Sequence, residues 1–118
     1  MSDKRINWYK IAEGINSINF QPNNMCVVDV DNKKITLGKY NDTLFAIAYK
    51  CPHASGIMAD GFIDALGNVV CPIHRYKFSL RTGINTTGEG YYIKNFATKQ
   101  TEEGVFIGIE ETGIFSFL

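Results

Sequence analysis

A chain of 118 residues with 45% hydrophobic and 20% charged side chains can build one packed domain and is too apolar to stay disordered. Its twelve basic and twelve acidic residues cancel, which removes the charge bias expected of a nucleic-acid binder. Met1-Ser2-Asp3-Lys4-Arg5 leads into no long apolar run, so neither a secretory signal nor a membrane anchor is expected.

No window of a dozen residues carries the apolar repeat of a helix. Short alternating or β-branched runs, punctuated by Gly, Asn and Asp, predict strands instead. The first covers residues 6–11 and the second 25–30. Residues 34–40 and 43–49 form a hairpin across Asn41-Asp42, a dipeptide suited to a two-residue turn. A smaller hairpin pairs 62–64 with 68–70 around Ala65-Leu66-Gly67, and residues 77–79 add a short strand before the turn at Leu80-Arg81-Thr82-Gly83. Three further strands are predicted at 91–98, 104–110 and 114–117, with turns at Glu102-Glu103-Gly104 and Glu111-Thr112-Gly113. Many short, closely spaced strands predict an all-β sandwich or barrel. No repeat, low-complexity tract or linker marks a second domain.

Three cysteines make an odd count. Cys26 sits in the apolar run Met25-Cys26-Val27-Val28-Asp29-Val30, with no close ionisable neighbour to activate a thiolate, and reads as a reduced core residue. Asn41-Asp42-Thr43 and Asn85-Thr86-Thr87 match the glycosylation acceptor pattern, but in a chain that is not secreted they are turn chemistry. The other two cysteines and both histidines of the chain fall into one pattern: Cys51-Pro52-His53, seventeen residues, then Cys71-Pro72-Ile73-His74. Each stretch delivers one thiol and one imidazole. A dinuclear [2Fe–2S] centre of mixed ligation takes this set, two thiolates on one iron and two imidazoles on the other. Zinc also accepts two Cys and two His, but its structural sites usually space paired ligands by two to four residues, whereas Cys51 and His53 are separated by one. Residues two apart in an extended loop point the same way, toward adjacent atoms of a cluster. The plainest alternative is buried thiols and incidental imidazoles with no metal.

The resemblance extends past the four ligands. Cys51-Pro52-His53-Ala54 and the stretch from Cys71-Pro72-Ile73-His74-Arg75-Tyr76 through Lys77-Phe78-Ser79-Leu80-Arg81-Thr82-Gly83 resemble the two cluster-binding loops of Rieske-type ferredoxins. That resemblance implies a single Rieske domain over 1–118. A small three-stranded cluster-binding subdomain, about residues 49–80, would be inserted in a larger antiparallel base. It implies one [2Fe–2S] cluster per chain, with Cys51 and Cys71 on the buried iron and His53 and His74 on the outer iron, their free ring nitrogens toward solvent. It implies a one-electron carrier without catalysis of its own, passing electrons from a flavin-dependent reductase to a terminal oxygenase, with neither nucleic acid nor membrane as partner. The alternatives from other classes are the small subunit of a nitrite-reductase-like enzyme, bound to its large subunit, and a zinc-stabilised binding module. An iron–sulfur protein without an export signal is expected in the cytoplasm.

Family comparison also marks departures. High-potential Rieske proteins carry a disulfide between the two loops and Ser and Tyr hydroxyls against the cluster. The matching positions here are Gly56 and Ile73, then Tyr76 and Phe78. Fewer donors to sulfur lower the potential, so the soluble ferredoxin type is expected. Arg75 stands where Gly is common, and its bland reading is a solvated cation. Pro52 and Pro72 stiffen the ligand loops, Ile57 and Met58 supply apolar cover, and Thr87-Gly88-Glu89-Gly90 replaces the usual proline-bearing third loop.

Overall fold

The computed structural model describes residues 5–53 and 55–111. Nine strands are present among the described residues: β1 (Arg5–Ala12), β2 (Met25–Val30), β3 (Lys33–Tyr40), β4 (Thr43–Ala48), β5 (Phe62–Ile63), β6 (Asn68–Val70), β7 (Lys77–Ser79), β8 (Asn95–Thr101) and β9 (Gly104–Glu111). Six make one antiparallel sheet in the order β1-β9-β8-β4-β3-β2, and β5-β6-β7 make a second, small antiparallel sheet. The outermost strands β1 and β2 touch, so the large sheet curls on itself. The all-β expectation holds. No helix of the described residues is long and apolar enough to cross a membrane.

Turn chemistry fixes the register. Asn41 and Asp42 both take left-handed φ values, 50° and 59°, closing β3 on β4 through a turn whose twist matches the strands. Asp31 and Asn32 do the same between β2 and β3, at 51° and 64°. Two 3-10 turns, Ile15–Ser17 and Met58–Asp60, are too short to leave a periodic signal in sequence. The strand predicted at 91–98 begins later, at Asn95. Before it, Tyr91 O accepts from Asn85 N–H and Ile93 N–H donates to Gly83 O, so residues 91–93 pair with the 83–85 turn rather than with the large sheet. The strand predicted at 114–117 lies outside the described residues.

β3 and β4 carry the architecture because both of their faces are covered. Ile35, Leu37, Leu44 and Ala46 face the interior of the curled sheet, packing with Val30, Val105, Ile107 and Ile109. The alternate positions look the other way. Ile47 joins Met25, Met58, Val69, Phe78, Leu80 and Ile93, and a Cβ on Gly38 would contact Ile63 and Leu80. The period-two alternation of a strand thus seats the small sheet on the outside of the large one. The side chains of Gln21 and Asn23 lock this seat by donating to Ala59 O and Gly61 O at 2.8–3.2 Å.

Candidate metal centre

Two loops at one end of the small sheet carry the four sequence-predicted ligands. The first follows β4 and the second joins β6 to β7. They are closed alike: Cys51 N–H donates to Gly56 O at 2.7 Å, and Cys71 N–H to Tyr76 O at 2.8 Å. Both require left-handed backbone at residues other than glycine, with φ of 60° at Ser55, 64° at His74 and 58° at Arg75. This conformation is why glycine suits position 75, and why an arginine there carries local strain. Arg75 is exposed, in keeping with a solvated cation, and Pro52 and Pro72 occupy turns.

The loops meet where Gly56 lacks a side chain. A Cβ at that position would lie 3.0 Å from Cys71 Sγ and 3.2 Å from Ile73 Cδ1. The two positions that could have carried an inter-loop disulfide are therefore adjacent, but occupied by a glycine and an isoleucine.

Cys51 and Cys71 are buried, reduced and close enough for their thiols to interact. Burial pushes the Cys71 thiol up to about 11, opposed by the N–H of Ile73, which donates to Cys71 Sγ at 3.4 Å, and reinforced by the neighbouring Cys51. Thiols so placed ionise only against a strong positive charge, which a metal supplies. The imidazoles of His53 and His74 face each other with ring centroids 5.1 Å apart and planes tilted by 54°. His53 Nδ1 is buried without a hydrogen-bond partner. A buried polar nitrogen in that state calls for a ligand.

The donors are therefore sorted by type, thiol with thiol and imidazole with imidazole. Paired thiols next to paired imidazoles suit a dinuclear centre with a different ligand pair on each iron, and the residues present fit that group.

A family model, the Rieske [2Fe-2S] domain, matches residues 7–92. The chain belongs to the Rieske family. The cofactor of that family is a [2Fe–2S] cluster. Rieske relatives include the ferredoxin subunit of a 3-phenylpropionate/cinnamic acid dioxygenase from Photorhabdus laumondii, 35% identical over 49 residues. That match covers 42% of this chain and 47% of the relative. The ferredoxin component of an alkene monooxygenase system from Xanthobacter autotrophicus is 28% identical over 86 residues, covering 73% of this chain and 70% of that one. The matched stretch thus spans about half of the first relative's length. A Mycobacterium tuberculosis structure, described as an NADH-dependent nitrite reductase small subunit, superposes with a TM-score of 0.76. The superposition covers 92% of this chain and 99% of that one, and at 18% identity it shows a shared fold.

The Rieske loops contain features that the motif did not disclose. His74 is exposed, but His53 is half-buried: Tyr76 stacks on its ring at 4.1 Å and 29°, and the Tyr91 ring lies 5.2 Å away. Tyr76 and Tyr91 also stack on each other, centroids 5.9 Å apart. The two imidazoles are unequally open to solvent, where the resemblance implied two outward-facing rings. Tyr91 is the site residue that sequence reading missed; its signal was an aromatic directly after the glycine-bearing third loop. Of the predicted apolar cover, Ile57 is half-buried and Met58 fully buried in the core beneath the site. Ala54 lies outside the described residues. Cys26 packs half-buried against the interior of the large sheet, with its thiol pushed up by burial, and takes no part in the site.

Proposed function

We propose that this chain is a one-electron carrier, the ferredoxin component of an oxygenase system, holding one [2Fe–2S] cluster per chain. Cys51 and Cys71 would hold the inner iron, and His53 and His74 the outer one through their ring nitrogens. The cluster supplies a reversible one-electron couple. The buried, partnerless His53 Nδ1 beside the His74 ring, on the same two loops as two interacting thiols, is the observation that carries this reading. The protein buries both thiols, donates the Ile73 backbone N–H to Cys71 sulfur and holds the two imidazoles with centroids 5.1 Å apart. No other histidine remains to act as a base, so catalysis of an organic substrate is assigned elsewhere.

The electron acceptor is a terminal oxygenase, as the names of the ferredoxin relatives suggest, and the carrier role calls for a flavin-dependent reductase as the donor. We place the protein in the cytoplasm, as one domain over 1–118 with its cluster-binding subdomain at about 49–80. Phe78 is fully buried and has no hydroxyl, and Gly56 and Ile73 form no disulfide, so the potential belongs toward the lower end of the span of about −150 to +300 mV.

The whole-chain superposition on the nitrite reductase small subunit supports a second reading, permanent attachment to a large reductase subunit. Size-exclusion chromatography of the protein from its native host separates the two. A free carrier elutes near the 13.2 kDa of the chain and is rapidly reoxidised by an oxygenase. A subunit co-elutes with a large flavoprotein or haem protein.

A further inference from the structure

The third loop does more than cover the site. Its residues 85–91 are held at both ends and through the middle by one amide. Asn85 Nδ2 donates to Lys77 O at 3.0 Å, tying the loop to β7, and to Thr87 Oγ1 at 3.0 Å and Glu89 Oε1 at 2.9 Å. Asn85 Oδ1 accepts from the N–H of Glu89 at 2.6 Å and of Gly90 at 3.1 Å. Thr87 Oγ1 accepts from Lys77 N–H at 3.3 Å and donates to the Glu89 carboxylate. Gly88 and Gly90 provide φ of 90° and 84°, which the tight path needs. The two hydrogens of Asn85 Nδ2 are shared among these three acceptors, and the amide is fully engaged in this turn.

This cage fixes the Glu89 carboxylate two residues before Tyr91, whose ring lies 5.2 Å from that of His53, so that the carboxylate's charge is felt at His53. The carboxylate also interacts with Tyr76, the ring that stacks on His53. Two residues on, Tyr91 brings its own ring to His53 and stacks on Tyr76. The loop therefore delivers an anion and an aromatic wall to the same imidazole. The other imidazole, His74, is open and stands next to the cation of Arg75.

We propose that Glu89 is a positioning-loop carboxylate that lowers the reduction potential of the centre from the His53 side. The inference rests on the Rieske reading of Cys51, His53, Cys71 and His74. Reduction adds one electron to the centre, and a fixed negative charge nearby disfavours that state. An exposed carboxylate would normally be screened by water and salt. Here the Asn85–Thr87 cage holds the carboxylate by hydrogen bonds and prevents it from turning away.

The test is a redox titration of wild-type protein, Glu89→Gln, Thr87→Val and the double variant, monitored by electron paramagnetic resonance. Glu103→Gln, in the exposed β8–β9 turn, serves as the control for a general loss of negative charge. Glu89→Gln should shift the midpoint potential upward with the signal shape retained, and Glu103→Gln should shift it much less. Thr87→Val should shift it in the same direction by freeing the carboxylate, and should add nothing in the Glu89→Gln background. A Glu89→Gln potential equal to that of wild type, or no larger in shift than Glu103→Gln, overturns the proposal. So does a Thr87→Val effect that persists undiminished in the double variant. If wild-type protein assembled with iron and sulfide gives no Rieske signal, the reading of the ligands fails instead, and the two failures are told apart by the wild-type spectrum alone.

Discussion

The large and small sheets of this molecule are stabilised in different ways. The six-stranded sheet has long ladders, two-residue turns and an apolar interior built from Ile35, Leu37, Leu44, Ala46, Val105 and Ile107. The three-stranded sheet has strands of two or three residues, and its loops contain left-handed Ser55, His74 and Arg75. It also leaves two buried thiols side by side and a buried imidazole nitrogen without a partner. The first region packs without any ligand donor set, its buried Thr36 Oγ1 being a lone hydroxyl without a hydrogen-bond partner. The second requires something that binds sulfur and nitrogen, and the contrast shows where folding free energy ends and ligand free energy begins.

The largest effect that can break this contrast is loss of a ligand. Cys71→Ser, Cys51→Ser or His53→Ala should abolish or grossly alter the visible absorption of the assembled protein, whereas Cys26→Ser should leave it intact. A bleached but folded Cys26→Ser protein would mean that the third thiol had been wrongly placed with the large sheet. Removal of iron with acid or a strong chelator comes next. Hydrogen exchange should accelerate in residues 50–58 and 71–78 while the amides of β3, β4, β8 and β9 keep their protection. Uniform loss of protection would show that the large sheet depends on the centre as well.

Within the large sheet, Leu37→Ala removes a fully buried side chain and should cost about 2–5 kcal/mol, measured by denaturant unfolding. The reduction potential should stay unchanged, because the vacated space opens toward the opposite face of β3. A shifted potential would couple two regions that the packing separates.

The smallest effect concerns the clamp of the small sheet. The Asp64 carboxylate accepts from the N–H groups of Leu66 and Asn68 at 2.9 and 3.0 Å and from Asn68 Nδ2 at 3.2 Å. It also pairs with Lys77 Nζ at 3.2 Å, joining the β5–β6 turn to β7. Burial alone would raise its pKa, but these bonds outweigh it and hold the carboxyl below its ordinary 3.8. A depressed folded pKa means a contribution present above about pH 4 and lost as pH falls through the folded value. Asp64→Asn should cost about 1–3 kcal/mol at neutral pH and should weaken the loss of stability on acidification. An unchanged acid limb in the variant would remove Asp64 from this role.

Much of this contrast was legible in the sequence. Asn41-Asp42 announced its hairpin, and the alternation of 25–30 gave β2 at its observed bounds, because both signals are local. The site was legible for a different reason: two Cys and two His at fixed spacing are residue types with little else to do in so short a chain. What stayed hidden depends on contacts across the fold. The unequal exposure of His53 and His74 is set by Tyr91, which comes from a loop distant in sequence. The late start of β8 follows from Ile93 bonding to Gly83, a pairing with no local pattern. The role of Gly56 is likewise invisible until Cys71 Sγ is beside it.

The most direct measurement is an electron paramagnetic resonance spectrum of dithionite-reduced protein, made with active cluster assembly, together with iron, sulfide and zinc assays. Two irons and two sulfides per chain, and a reduced signal typical of mixed Cys/His ligation at a potential in the lower part of about −150 to +300 mV, are expected. Stoichiometric zinc with no visible absorption, or a potential well above about +100 mV, would contradict the account of a ferredoxin-type centre.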